Sequence, residues 1–336
     1  MISFLAKKIW KNKWMMLCLL IGNILLVGIV SATPMYVNAT KRRILYQGLR
    51  RYQIENAANA AVMELRFTFN NLQVAARIPA YLETRDYFAH DIAEEMGVPT
   101  LMSLRIDTMS GWHLSPYPPR DIMPRSRAMH LTGIDDLAGN VHMIHGRLPS
   151  GEMAEGNTIE AIISEAAMQR QNILFGERLQ VRNVSGHPGG VLYVNIVGVY
   201  EMAEGSDMYW SAVNLNHLNS VIVSEELVRS QFTPYYSVEY RITSSWIHVL
   251  DFSAMSAADA PHYLYTLASF EERFLSERNE WVFIENFSGT ISRYADSADR
   301  LAVTLWVLQV PIYILLAFLF TWSAARYFNW SRTRYL

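Results

Sequence analysis

Two stretches of this chain carry no charged side chain, residues 14–32 and residues 301–325, and between them polar and apolar positions alternate on much shorter periods. At about 1.5 Å of rise per helical residue, either stretch can cross a hydrocarbon core of about 30 Å. Leu17, Leu19, Leu20, Ile21, Ile24, Leu25, Leu26, Val27, Ile29 and Val30 supply the apolar surface of the first, against Gly22 and Asn23. The second is rich in Leu, Ile, Val and Phe and is interrupted by Gln309 and Pro311. Both are expected to insert as transmembrane helices. The remainder, 33–300, is then a large polar region joined to a bilayer at both ends. A cleaved signal peptide ending at Val30-Ser31-Ala32 is the alternative for the first stretch; its apolar run exceeds the usual length of such segments.

The flanks orient the pair. Lys7, Lys8, Lys11 and Lys13 precede the first stretch, and Arg326, Arg332 and Arg334 follow the second, with no acidic residue in either flank. Positive flanks favour the cytoplasm, so the termini 1–13 and 326–336 are expected there, with 33–300 extracytoplasmic at the plasma membrane. Lys41, Arg42 and Arg43 oppose this from the far side but lie farther from the membrane end.

Within 33–300, apolar spacing predicts a helix over 41–58 continuing out of the membrane, with Ile44, Leu45, Leu49 and Tyr52 on one face. Alternation over 61–70 sets Leu65, Phe67 and Phe69 against Glu64, Arg66 and Thr68, a half-buried strand. A helix over 81–96 stops at Gly97 and Pro99, and a strand over 101–107 leads to a turn at Ser110-Gly111. The proline-rich stretch 115–124 reads as a loop and a boundary between two lobes. Further strands are expected at 158–163, 178–183, 191–201, 221–223, 235–243, 248–252 and 281–284. Helices are expected at 165–171, 224–230, 257–277 and 288–300, the last running into the second stretch. Strands and helices mix without regular alternation, so the expected class is α+β: a two-lobed extracytoplasmic domain between two transmembrane helices.

Composition narrows the function classes. A net charge of −2 offers no basic stripe for nucleic acid. The only cysteine, Cys18, lies in the first apolar stretch, so the polar region must be held by packing without disulfides.

Residues 146–201 carry a recognisable series. Gly146, Arg147 and Pro149 form a Gly-Arg-x-Pro turn; Ser164, Glu165 and Ala166 open a helix after an apolar strand; Gly176, Glu177 and Leu179 begin one strand; and Ile196, Val197, Gly198 and Val199 lie in the next. This series resembles the extracytoplasmic core domain of FtsX-like, or MacB-like, ABC-transporter permeases, and the order of span, external domain and span extends the resemblance along the chain. It implies a permease subunit of the mechanotransmission type, working with a cytoplasmic ATP-binding ABC subunit. Such permeases have four or more spans, so the resemblance also implies an N-terminal portion that needs the remaining spans or a second permease copy. The cargo class it implies is a lipid, lipoprotein or peptide.

Other chemistry is thin. No G-x-x-x-x-G-K-[ST] is present, so ATP hydrolysis falls to a partner. His142 and His145 are three apart on an expected strand and should face opposite sides, which argues against a metal pair. The glycine-rich 186–190 lies between strands and reads as a hairpin loop. Ser164 and Ser224 lack a nucleophile-elbow glycine pattern. Asn38, Asn183 and Asn286 match N-x-[ST] by composition alone, and Tyr209-Trp210, Tyr235-Tyr236 and Trp246 read as core aromatics. No catalytic, cofactor-binding or metal-binding residue is assigned, and the chain is not read as an enzyme. A two-span sensor with an extracytoplasmic ligand domain is the alternative to the permease.

Overall fold

The computed structural model describes residues 13–69, 78–119, 126–182, 190–232, 241–276 and 281–294, with scattered positions from 296 to 322. The chain divides into two compact units: Met1–Gly48, Ser256–Ala260 and Thr290–Leu336 form one, and Leu49–Met255 with Pro261–Gly289 the other.

In the first unit, helix α1 (Lys13–Asn56) contains the whole first apolar stretch and most of the expected helix at 41–58, without a break between them. Residues 288–294 are also helical. Leu45 and Ile291 are fully buried, and a Cβ at Gly48 would run into the Tyr294 ring, so the two helices meet closely at that level. Ala298 and Leu301, which continue the helical spacing of Ile291 and Tyr294 along the sequence, lie outside the described residues. Among the described residues no helix is long and apolar enough to cross a membrane. Many side chains of 14–32 and much of 301–325 are outside that description.

The second unit is built on one mixed sheet of ten strands. They are β1 (Val62–Phe69), β2 (Thr100–Pro116), β3 (Arg127–Ile134), β4 (Val141–Gly146), β5 (Thr158–Ser164), β6 (Arg178–Val181), β7 (Tyr193–Met202), β8 (Ser220–Val223), β9 (Arg241–Leu250) and β10 (Trp281–Glu285). The order is β10-β1-β9-β2-β3-β8-β5-β7-β4, and β6 pairs with both β2 and β7. That double pairing closes a ring, β2-β3-β8-β5-β7-β6. Its buried lining includes the cross-strand rows Leu131, Val221, Ile163 and Ile159, Val194, Leu179. Strands β10, β1, β9 and β2 form an antiparallel wing.

The stretch expected as a loop and lobe boundary, 115–124, begins in the end of β2, and 120–125 lies outside the described residues. Ring and wing share β2, whose ladder to β9 ends at Ser110 and whose ladder to β6 begins at Leu114. The expected turn at Ser110-Gly111 is the register shift between them, a bulge inside one strand. Partners on both sides of β2 satisfy its backbone there, so the chain kinks without reversing. Likewise the strands expected at 235–243 and 248–252 are one strand, β9, from Arg241 onward; 233–240 lies outside the described residues.

Helices cover the two faces of the wing. On one side α2 (Ile78–Asp86), a π turn (Tyr87–Asp91), α3 (Ile92–Met96) and α7 (Ala260–Phe270) bring aromatic rings onto Phe67, Phe283 and Trp281. Tyr81 stands 4.9 Å from Phe67, and Phe270 stands 5.1 Å from Phe283. In the ring, α4 (Glu165–Gln171) starts where expected, with Ser164 Oγ accepting from the Ala167 amide at 3.2 Å. Ser224 precedes the short α6 (Glu225–Leu227) without a side-chain cap. On the opposite wing face, α5 (Asp207–Val213) lays Tyr209, Trp210 and Val213 on Leu104, Ile106, Ile134, Ile222, Ile247 and Val249.

Candidate functional site

Helix α5 covers only part of its face. It ends at Asn214 in a left-handed conformation, the amide of Asn214 bonding back to the Trp210 carbonyl. Beyond that end the strands of the wing change character. Alternation on β1 places Glu64, Arg66 and Thr68 on this face; β9 adds Arg241, Thr243 and Ser245; β2 adds Thr108 and Ser110. These residues, with His130 of β3, Ser220 of β8 and the 212–216 segment, line a groove of about 400 Å³. That volume lies within the range of small-molecule sites.

The floor of the groove is a row of hydroxyls. Thr68, Thr243 and Thr108 are cross-strand neighbours through β1, β9 and β2, and the Thr68 and Thr243 hydroxyls are 3.2 Å apart; Thr132, next in the row on β3, is fully buried and does not line the groove. Arg66 donates from Nε and Nη2 to Glu64 Oε1 at 3.0 and 2.8 Å, which leaves this pair balanced. Arg241 is exposed and has no ion pair among the described residues. Where β3 meets β8, His130 is the register partner of Ser220 and Thr132 that of Ile222. Thr132 is 0% and Ser220 1% exposed, yet among the described residues Thr132 Oγ1, Ser220 Oγ and His130 Nδ1 have no hydrogen-bond partner. A buried hydroxyl left unpaired is costly, and three orphaned polar atoms side by side are unusual in a packed interior.

The motif residues at 146–201 occupy a different place. Gly146 (φ +75°) and Gly198 are register partners on β4 and β7; a Cβ on Gly146 would strike Val197 O and stand 2.8 Å from Phe175, and one on Gly198 would meet the Arg147 carbonyl and Ile162. Arg147 closes the turn with a two-pronged pair to Glu160, Nη1–Oε2 2.6 Å and Nη2–Oε1 2.5 Å, and Glu160 also accepts from the Ser150 amide at 2.9 Å. The Arg147 bonds hold the Glu160 carboxyl below its usual range. These residues fix a turn and carry no reactive group.

The remaining sequence candidates scatter. A register shift between Met143 and His145 sets His142 opposite Glu201 and His145 opposite Val199, so the two histidines share a side of β4 instead of facing apart. They nevertheless part company: His142 Nδ1 is 2.8 Å from Glu201 Oε1, and His145 lies 6.1 Å from the Phe175 ring. Among the described residues no group of three or more His, Cys, Asp or Glu side chains could hold a metal ion. Asn286 is fully engaged, accepting from the Val62 amide and donating to the Asn59 carbonyl. Tyr209 donates to the Asp135 carbonyl at 2.6 Å and Trp210 to the Asn140 carbonyl at 2.9 Å, as core aromatics should. Trp246 packs between Tyr81 and Arg105. Asn183, Tyr235, Tyr236 and 186–189 lie outside the described residues, as does the side chain of Asn38.

Besides Glu160, the half-buried His217, the buried His248 and a second acid, Glu225, have shifted titrations. Burial pushes His217 and His248 down; His248 donates from Nε2 to the Phe88 carbonyl at 2.8 Å. Glu225 is pushed up to about 7 by burial and by its neighbour Asp135, against the opposing charge of Arg229.

No family model matches the chain, and no curated protein matches it. Among solved structures it is similar to the crystallised domain of a candidate permease protein from Porphyromonas gingivalis. The two share 10% identity at a TM-score of 0.30, over 67% of this chain and 86% of that one. A likeness at that level assigns no residue a role.

The groove residues went unassigned in the sequence because they are drawn from β1, β2, β3, β8 and β9, with no local motif. The one local signal was the polar side of the β1 alternation, Glu64, Arg66 and Thr68, which reads equally as a solvent face.

Proposed function

We propose that this chain is a membrane permease subunit of an ABC transporter of the mechanotransmission type. The reading rests on one observation: the terminal helices expose large apolar side chains in stripes at helical spacing. Leu17, Leu20, Ile21, Ile24 and Val27 are 46–62% exposed on α1, and Val303, Val307, Ile314 and Phe318 are 64–66% exposed toward the other end. Contiguous stripes of this kind are unfavourable in water and suit hydrocarbon. They coincide with the uncharged stretches 14–32 and 301–325 and their basic flanks, which supports both termini in the cytoplasm and the sheet unit outside. The residue series at 146–201 supports the transporter class.

In this reading a partner ATP-binding subunit drives the spans. Further permease spans or a second permease copy complete the bundle, and α1 carries motion outward to the sheet unit. The cargo is a lipid, lipoprotein or peptide.

Two measurements test it. Alkaline phosphatase fused at Ser150 should be active, and fused at Leu336 inactive, with a cytoplasmic fluorescent reporter giving the reverse. The full chain should co-purify with an ATP-binding ABC subunit from its native membrane. An active phosphatase at Leu336 overturns the topology. Co-purification with a kinase in place of an ATPase favours the two-span sensor, the reading that the ligand-sized groove supports.

A further inference from the structure

The orphaned hydroxyls and the uncommitted arginine of the wing groove point to a ligand. We infer that the groove binds a small hydroxylated anion, a sugar phosphate or sugar acid, with its anionic group at Arg241 and its hydroxyls on the Ser/Thr floor.

The charge follows from the lining. Glu64 balances Arg66 through two hydrogen bonds, so the cation left over is Arg241, which has no ion pair among the described residues. One uncompensated guanidinium in a groove of this size suits a single carboxylate or phosphate. The hydroxyls follow from the floor. Thr68, Thr108, Ser110, Thr243 and Ser220 each offer a group that both donates and accepts, which is the complement of a polyol rather than of a purely accepting anion. The decisive detail is Ser220. The residue lines the groove and is 1% exposed, and among the described residues its Oγ has no partner. His130, its register partner on the adjoining strand, also lines the groove, and among the described residues its Nδ1 likewise has no partner. Polar atoms kept buried and unpaired are a cost to the free protein that a hydrogen-bonding ligand removes. The apolar side chains of Ile106, Ile247 and Leu215 at the α5 end would pack against the ligand's carbon skeleton.

The experiment uses the full chain in detergent micelles and calorimetric titration with glucose 6-phosphate and with glucuronate. Glucose and inorganic phosphate serve as the separate halves of the ligand. Both charged sugars should bind, and each half should bind about tenfold more weakly. Arg241→Gln, an exposed change, should weaken glucose 6-phosphate about tenfold with the melting temperature unchanged. Ser220→Ala should weaken it about fivefold while leaving the melting temperature equal or higher, because the hydroxyl it removes is unsatisfied in the free protein. A structural serine would give the reverse pattern, a lower melting temperature at unchanged affinity, and that result overturns the inference. So does failure of both charged sugars to bind, or equal binding by Arg241→Gln, or inorganic phosphate binding as tightly as the sugar phosphate. Competition by phosphatidylinositol in nanodiscs supports a lipid headgroup as the source of the anion, and sugar binding without that competition supports a soluble one. The result is independent of transport: a chain that binds the charged sugars but captures no ATPase keeps the groove and loses the permease.

Discussion

The ring of Tyr294 occupies the space in which a side chain at Gly48 would stand. The contact joins α1 to the helical segment 288–294, two elements about three quarters of the chain apart in sequence, and it lies beside the buried Leu45 and Ile291. Gly48→Leu should therefore force the helices apart at a cost of about 1–3 kcal/mol. In a Cys18→Ser background, the pair Gly48→Cys and Tyr294→Cys should form a disulfide under mild oxidation, and Gly48→Cys with Ser297→Cys much less. Equal cross-linking of both pairs would show that the helices have no fixed register.

Helix α1 runs without interruption from Lys13 to Asn56. Leu49→Pro removes an internal hydrogen bond and sets a ring against the preceding turn, a local cost of about 3 kcal/mol. The near-ultraviolet circular dichroism of the sheet unit should survive this change, while ATP-dependent function in the complete assembly should be lost. Retained function would reduce α1 to a tether.

Gly146→Ala places a Cβ against Val197 O in a left-handed backbone conformation, and Gly198→Ala places one against the Arg147 carbonyl and Ile162. Each should lower stability by about 1–3 kcal/mol in a denaturant titration. The double variant should cost less than the sum, because the two positions face each other in register. Additive losses would show that the two strands tolerate separation there.

Glu225 gives a pH signature. Its folded pKa, about 7, lies above the ordinary carboxylate value of 4.5. Below that ordinary value both folded and unfolded chains hold the proton and the shift has no effect. As pH rises from there to about 7, the unfolded chain releases its proton first, so stability falls across that window and stays lower above it. His217 and His248, depressed by burial, act oppositely: their stability is present above 6.5 and is lost as pH falls. Comparing wild type with Glu225→Gln isolates the acid. The variant should melt higher at pH 8 and converge with wild type below the ordinary carboxylate value of 4.5. A pH-independent difference would mean that Glu225 ionises normally.

The sheet unit should hold its fold without metal. EDTA is expected to leave the melting temperature unchanged, and a marked drop would reopen His142 and His145 with Glu201 as ligands.

Much of the local structure was legible along the chain. Alternation at 61–70 gave β1 and its two faces, because a strand buried on one side must repeat every second residue. Ser164 marked the start of α4 because its hydroxyl meets an otherwise unpaired amide, a contact made within three residues. The apolar stretches at the two ends are likewise a property of composition in sequence. Tertiary structure decided the rest. Ser110-Gly111 has the chemistry of a turn, and only partners on both sides of β2 made it a bulge. His142 and His145 were expected on opposite sides of a strand, and a bulge whose position depends on β7 put them on one. The groove is the clearest case: its hydroxyls come from four strands, β1, β2, β8 and β9, and its orphaned atoms are defined by which partners are missing. Sequence periodicity records how each segment divides its own apolar and polar faces. Which faces meet, and which polar groups are left facing a space, is set by long-range strand pairing that no local pattern encodes.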